Sequence, residues 1–206
     1  MIGLMEAVLT RDTTRARLLQ AAFGEIYRHG FQAAGLSAIL RDTGLTKGAL
    51  YHYFPSKRAL GLAVIDEVIQ GRLAEMIFRP LEGAGDPYGV LLALLGQRLQ
   101  TVDDETATWG CPLNNLTQEM SPIDADFREH LSAILARWQG VVQAALERAQ
   151  AQGRVRAGLD CEAASLFLVA AWEGCWGVAK TRQSVSVFRQ CLGELCDYVQ
   201  GLAASP

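Results

Sequence analysis

Apolar residues recur at intervals of three and four along most of the chain, and the strict alternation of a half-buried strand is scarce. Leu18, Leu19, Ala22, Phe23, Ile26 and Tyr27 fall on one stripe, with Arg15, Arg17, Gln20, Glu25 and Arg28 off it. That spacing predicts a helix over residues 14–29. Thr13 or Thr14 can accept from its first N–H groups, and Gly30 suits the position beyond its end. Three short elements follow. Ser37 is placed to cap a helix over 38–43 that ends at Gly44, and Thr46 to cap one over 47–53. Pro55-Ser56 restarts a helix expected to stop near Phe78, before Arg79-Pro80.

The rear of the chain reads as longer helices. One covers about 88–102, Trp109-Gly110-Cys111-Pro112 breaks the pattern, and a helical piece runs on to Met120. Ser121-Pro122 offers a cap and a first-turn proline for about 30 residues of helix. Asp160 is expected to cap a helix to Thr181, and Ser184 or Ser186 to open the last one, ending near Gly201. Asp103-Asp104-Glu105 reads as a solvated loop. The fold class that follows is all-α: an N-terminal three-helix head over residues 1–60 and a helical body over 61–206.

Composition narrows the function. Of 206 residues, 50% are hydrophobic and 20% charged, which excludes a mainly disordered chain. No apolar run is long enough to span a membrane. Met1-Ile2-Gly3-Leu4-Met5-Glu6 lacks the features of a secretory leader, so a cytoplasmic location is expected. The five cysteines show no paired metal-ligand spacing, and an odd number argues against a disulfide framework. No Ser/His/Asp set, phosphate-cradling glycine loop or metal cluster is visible, so neither an enzyme nor a cofactor is expected. A thiol enzyme using Cys111 with His130 would lack an orienting third group. The net charge of −3 is unevenly spread. Residues 1–60 carry eight basic and four acidic groups, the rest eleven and eighteen. A basic front half points to an anionic partner.

Residues 36–54 read as helix, tight turn, helix. Ile39, Leu40, Leu45 and Leu50 are spaced to pack both helices on the Leu18/Phe23/Ile26 stripe, the geometry of a helix-turn-helix. The second helix would read double-stranded DNA. Thr46 and Lys47 stand at its start, Gly48 permits close approach of a duplex, and Tyr51 and His52 project one turn later. Ser37 and Lys57 are further candidates for phosphate contact. The run Thr46-Lys47-Gly48-Ala49-Leu50-Tyr51-His52-Tyr53-Phe54-Pro55-Ser56-Lys57 resembles the signature of TetR-type transcriptional regulators. Phe23, Gly30-Phe31 and Gly44-Leu45 fit the same pattern. The resemblance implies an all-α homodimer on a palindromic operator, released by a small-molecule effector held in the body, and most often a repressor.

In the body, Gly110-Cys111-Pro112-Leu113-Asn114-Asn115-Leu116 and Glu119 look like a C-terminal subgroup that answers small organic or electrophilic compounds. Cys111 has two readings: a small buried hydrophobe, or a sensor thiol activated by a helix start and by Lys180. Trp109, Trp138 and Trp176 are either core or pocket lining, with Asn115 among the polar groups such a pocket would need. Trp172 and Trp176 stand four apart, as a core stripe does. Small residues along the 161–181 helix, with the last helix, suggest a two-fold helical interface between subunits.

Overall fold

The computed structural model describes residues 2–204, with side chains over residues 13–204. The stretch Met1–Glu6 read above, and the charges of Arg11 and Asp12, lie outside the described side chains. Among the described residues the chain forms twelve α-helices and two π-helical stretches, with one lone bridge between Val155 and Ala203. The fold is all-α. Contacts divide it into two compact units, Met1–Gly71 with Asn115–Leu131, and Arg72–Asn114 with Ser132–Pro206. The expected boundary at 60/61 falls inside α4 (Lys57–Ala63).

In the first unit, α1 (Ile2–Ala33) begins well before Thr13 and Thr14, so neither is its cap. Its helical phase breaks at Gly30, with φ 79° and ψ 163°. The break exposes the amides of Phe31 and Gln32, and both donate to the Glu119 carboxylate at 2.8 Å. Gly30 has a left-handed φ, and a Cβ there would stand 2.9 Å from Glu119 Oε2, so the site needs glycine twice over. α2 (Leu36–Thr43) starts two residues earlier than predicted. Its N-cap is Gly35, which offers no side chain, and Ser37 lies inside the first turn. Gly44 ends it in the left-handed conformation, as expected. α3 (Lys47–Tyr53) and α4 are capped by Thr46 and Ser56, which accept from Ala49 N at 3.2 Å and Ala59 N at 3.0 Å. Leu18, Phe23, Ile26, Ile39, Leu50 and Leu60 meet in the core. Each such side chain contributes about 1.5–3 kcal/mol by leaving water.

From α4 the helix runs on through a π-helical stretch (Val64–Ile69), α5 (Gln70–Leu73), a second π stretch (Ala74–Phe78) and α6 (Arg79–Glu82). The expected stop at Arg79-Pro80 does not occur. Pro80 is the second residue of α6, directly after the second π stretch.

The second unit is built from α7 (Pro87–Thr101), α8 (Asp104–Trp109), α11 (Cys161–Arg182), α12 (Val185–Gln200) and the rear of α10 (Ala125–Ala151). α7 and α12 run antiparallel and are pinned at both ends. The Tyr88 hydroxyl donates toward the Val199 and Gln200 carbonyls at 3.1 Å, and Arg189 donates to the Leu99 and Val102 carbonyls. Asp160 and Ser184 cap α11 and α12 as expected. Two expectations fail. Asp103-Asp104-Glu105 is not a loop, because Asp103 accepts from Thr106 N at 2.8 Å and starts α8, whose first turn favours acids. α10 starts after Asp124, not at Ser121-Pro122: Asp124 Oδ1 accepts from Asp126 N and Phe127 N, while residues 121–123 form a turn. α9 (Pro112–Met120) spans the division between the units.

Candidate functional site

The hinge between α2 and α3 is held from three sides. Thr43 Oγ1 donates to the Leu40 carbonyl at 3.1 Å and accepts from Leu45 N at 3.3 Å, while Arg17 donates to the Thr43 carbonyl at 2.7 Å. A cation on the last carbonyls of a helix satisfies them and suits its dipole. Ile39 and Leu50 are the buried anchors of the two helices. The opposite face of α3 is open: Thr46, Lys47, Gly48, Tyr51 and His52 are all exposed, Tyr51 by 44%. Ser37 is exposed as well. His52 packs edge-on against Tyr53 at 5.0 Å, which limits its swing. A Cβ on Gly48 would meet nothing nearer than 3.9 Å, so this fold does not itself demand glycine there. Lys57 differs from the other six. It is half-buried, its Nζ donates to the Gln32 carbonyl at 2.9 Å, and it sits 5.0 Å over the Phe31 ring.

The charge excess of residues 1–60 is offset within the unit that contains them. Counted over that whole unit, nine basic side chains face ten acidic ones. Arg15 pairs with Glu67, and Arg58 with Asp124 at 2.9 Å and Asp126 at 2.6 Å. The Arg58 guanidinium holds the Asp124 carboxyl down to about 2. The electrostatic case for an anionic partner therefore rests on the local surface, where Arg41 and Lys47 are exposed and the Arg41 guanidinium stands 3.9 Å from the Asp42 carboxylate.

In the second unit, Cys111 lies at the foot of α9 and is buried. Its Sγ donates to Glu173 Oε1 at 3.3 Å, and Asn114 Nδ2 donates to the Glu173 carbonyl at 3.1 Å. Burial first, and the Glu173 charge second, push the Cys111 thiol well above its ordinary pKa. The charged group facing this thiol is Glu173, where the sequence had suggested Lys180. Glu173 Oε2 is buried with no hydrogen-bond partner, and burial raises its carboxyl to about 7.

The indoles divide into two groups. Trp138 meets Trp172 edge-on at 6.0 Å, and both line a void of about 40 Å³ walled by Leu91, Val142, Leu168 and Leu195. Trp176 packs on Phe188 at 3.9 Å, with the Arg98 guanidinium 4.7 Å over its ring. A wider cleft of about 280 Å³, lined by Arg98, Gln97, Thr101 and Glu75, shares Ile77, Leu94 and Trp172 with the void. Trp109 and Lys180 are half-buried and do not line either space, and Asn115 belongs to the first unit. Sequence reasoning passed over Arg98 and the lining role of Trp172. Arg98 stands seven residues after Leu91 and three after Leu95, an arginine within an apolar helical stripe, and that was the available signal.

Two family profiles match the chain. One, described as bacterial regulatory proteins of the tetR family, covers residues 18–64. The other, described as a tetracyclin repressor-like C-terminal domain, covers residues 88–192. The transcriptional regulator AcuR of Cereibacter sphaeroides is 30% identical over 76% of this chain and 72% of its own length. The HTH-type transcriptional repressor NemR of Escherichia coli is 29% identical over 96% of this chain and 97% of its own. The crystal structure of the reduced form of E. coli NemR superposes with a TM-score of 0.78 at 26% identity, covering 94% of this chain and 98% of that one.

Proposed function

The chain belongs to the TetR family of DNA-binding transcriptional regulators, and from that membership we propose that it is a ligand-responsive repressor released from a palindromic operator by a small organic effector. The observation that carries the reading is the α2–Gly44–α3 unit. Its apolar side is anchored by Ile39 and Leu50, and its open side displays Thr46, Lys47, Gly48, Tyr51 and His52. α3 enters a major groove. Lys47 and Thr46 meet phosphate, Tyr51 and His52 reach base edges, and Gly48 lets the backbone come close. Ser37 adds a phosphate contact from α2, and Lys57 adds another after leaving the Gln32 carbonyl.

The active species is a homodimer. Ala163, Phe167, Ala170, Gly174 and Val178 recur at helical spacing along α11 and are all exposed, with Leu166 beside them. A continuous apolar face of this kind is normally covered, and a second copy covers it with the same face across a two-fold axis. The two α3 helices then meet successive major grooves, roughly 34–36 Å apart or somewhat more. Effector bound in the body favours a conformer with the heads wrongly spaced, and a coupling of about 1–3 kcal/mol changes operator occupancy usefully. No described helix is long and apolar enough to cross a membrane. A cytoplasmic location suits a protein that must reach DNA.

The state of Cys111 favours a reversibly bound organic effector over an electrophile captured at that thiol, since the thiolate is the nucleophile and both burial and Glu173 oppose it. A salt titration on operator DNA tests the proposal. Specific binding is expected to weaken steeply with salt, and Lys47→Ala to weaken binding to all sequences while lowering the salt slope by about 2, one phosphate contact from each subunit of the dimer. His52→Ala is expected to relax discrimination at one base position by about 1–3 kcal/mol. Unchanged binding in both variants would overturn the assignment of α3 as the reader.

A further inference from the structure

α11 and α12 pack antiparallel, and two ring contacts fix their register. Trp176 meets Phe188 at 3.9 Å near one end of the seam, and Phe167 meets Tyr198 at 4.7 Å toward the other. Cys175 and Cys191 fall between these contacts, one residue from Trp176 and three from Phe188. The two thiols are in hydrogen-bonding contact across the seam, and Cys196 is near enough for its charge to act on the Cys175 sulfur. The pair is uneven: both thiols are free, but Cys175 is buried and Cys191 half-exposed. The remaining cysteines have other neighbours, Cys111 the Glu173 carboxylate and Cys161 the Gln150 side chain. Among the described residues no three such side chains are grouped to hold a metal ion. The chemistry open to two touching thiols is with each other.

We propose that Cys175 and Cys191 form a reversible disulfide in response to hydroperoxides, stapling α12 to α11 within one subunit. Cys191, the accessible partner, reacts first. Its thiolate sulfur attacks one peroxide oxygen. The S–O bond forms, the O–O bond breaks, and the second oxygen leaves as hydroxide and takes up the proton Cys191 released. The sulfur, oxidised by two electrons, is now a sulfenic acid. The Cys175 sulfur then attacks it. The S–S bond forms, the S–O bond breaks, and the departing hydroxide takes the Cys175 proton. Two thiols and one hydrogen peroxide thus give one disulfide and two waters. Burial first, and Cys191 second, push the Cys175 thiol up to about 12, which makes it a poor first target. Once Cys191 is a neutral sulfenic acid, its charge no longer opposes ionisation of Cys175. In a reducing compartment such a pair stays open until an oxidant arrives, and a dithiol reopens it by exchange. α11 also carries the exposed apolar face assigned to the second copy, with Gly174 beside Cys175, so the bond forms in the helix that joins the subunits.

The test uses the full chain with hydrogen peroxide as the probe, in the unaltered protein and in Cys111→Ser. In both, intact mass spectrometry is expected to show the loss of two hydrogens, reversed by dithiothreitol, and peptide mapping to join the Cys175 and Cys191 peptides. Cys175→Ser, checked for an unchanged circular dichroism spectrum, is expected to abolish that loss and leave a sulfenic acid at Cys191 that dimedone captures. The oxidised protein is expected to unfold at higher urea than the reduced one, because the bond restricts the unfolded chain, and Cys191→Ser to remove the shift. An unchanged mass, a bond joining Cys191 of two subunits, a bond from Cys175 to Cys196, or an oxidised protein no more resistant to urea would each overturn the proposal. None of these readings involves DNA or an effector, so their failure is distinct from failure of the repressor reading.

Discussion

Phe127→Ala is expected to destabilise the protein by about 3–5 kcal/mol, the range for truncating a fully buried aromatic side chain. Phe127 is wholly buried near the start of α10 and stacks at a tilt on Phe31, with ring centroids 4.5 Å apart. Both rings lie on Gly61. A Cβ added there would fall 2.8 Å from Phe127 Cζ and 2.5 Å from Phe31 Cε2. The site is therefore filled to contact from both sides, and removing the ring leaves a hole that α4 cannot close without moving its backbone. Urea unfolding measures the loss, and Tyr51→Ala on the open face of α3 serves as a control expected within about 0.5 kcal/mol of the unaltered protein. A second comparison isolates the packing. Gly61→Ala alone is expected to destabilise, and to cost less when Phe127 is already Ala, since one of its two clashes is gone. Equal stability of Phe127→Ala and Tyr51→Ala would refute this account of the unit.

The second large effect is a pH dependence. The Glu173 carboxyl is held at about 7 by burial, against 4.5 in the unfolded chain. Between those values the folded protein keeps a proton that the unfolded chain has released. The contribution of this group to stability is therefore greatest below about pH 4.5, falls as pH rises through the window, and levels off above 7. The window corresponds to roughly 3 kcal/mol. Glu173→Gln removes the titration and keeps an acceptor for the Cys111 thiol, so its stability profile is expected to be flatter by that amount. Urea midpoints at pH 5 and pH 8, taken as differences from the unaltered protein, cancel the other titrating groups. Parallel profiles for the two proteins would show that Glu173 is not buried as described.

Where a helix takes its cap from its own neighbours, the sequence was readable. Thr46, Ser56, Asp160 and Ser184 each stand next to the turn they serve, and each accepts the amide three residues on. Ser37 looked the same and is not a cap, because the left-handed break at Gly30 and the turn after it let the backbone enter α2 at Gly35. Asp103 and Asp124 are caps hidden by context, one inside a charge run and the other two residues after a Ser-Pro pair that looked stronger. The open face of α3 was legible because a short helix seated on one buried leucine, Leu50, leaves its opposite side to show. The void and the cleft were less so. Trp138 was in view, but nothing in the local pattern shows that Trp172 stands opposite it or that Arg98 folds over Trp176, since these meet across helices far apart in sequence. The charge excess of the front half misled for the same reason: Glu67, which pairs with Arg15, and Asp124 and Asp126, which pair with Arg58, all come later in the chain.

The grip of Glu119 on Phe31 and Gln32 has a consequence for the order of events during synthesis. The clamp joins residues 88 positions apart. At roughly 5–20 residues per second, the end of α1 is synthesised about 4–18 s before its partner. Until then the amides after Gly30 are met only by water, and Phe31 lacks the ring of Phe127. The helices that display the α3 surface are thus finished from behind, by a segment translated after all of α7 and α8. A fragment cut at residue 60 or 71 is missing that segment. Exchanging front halves between relatives at such a cut transplants a surface without its keystone, unless residues 115–131 travel with it.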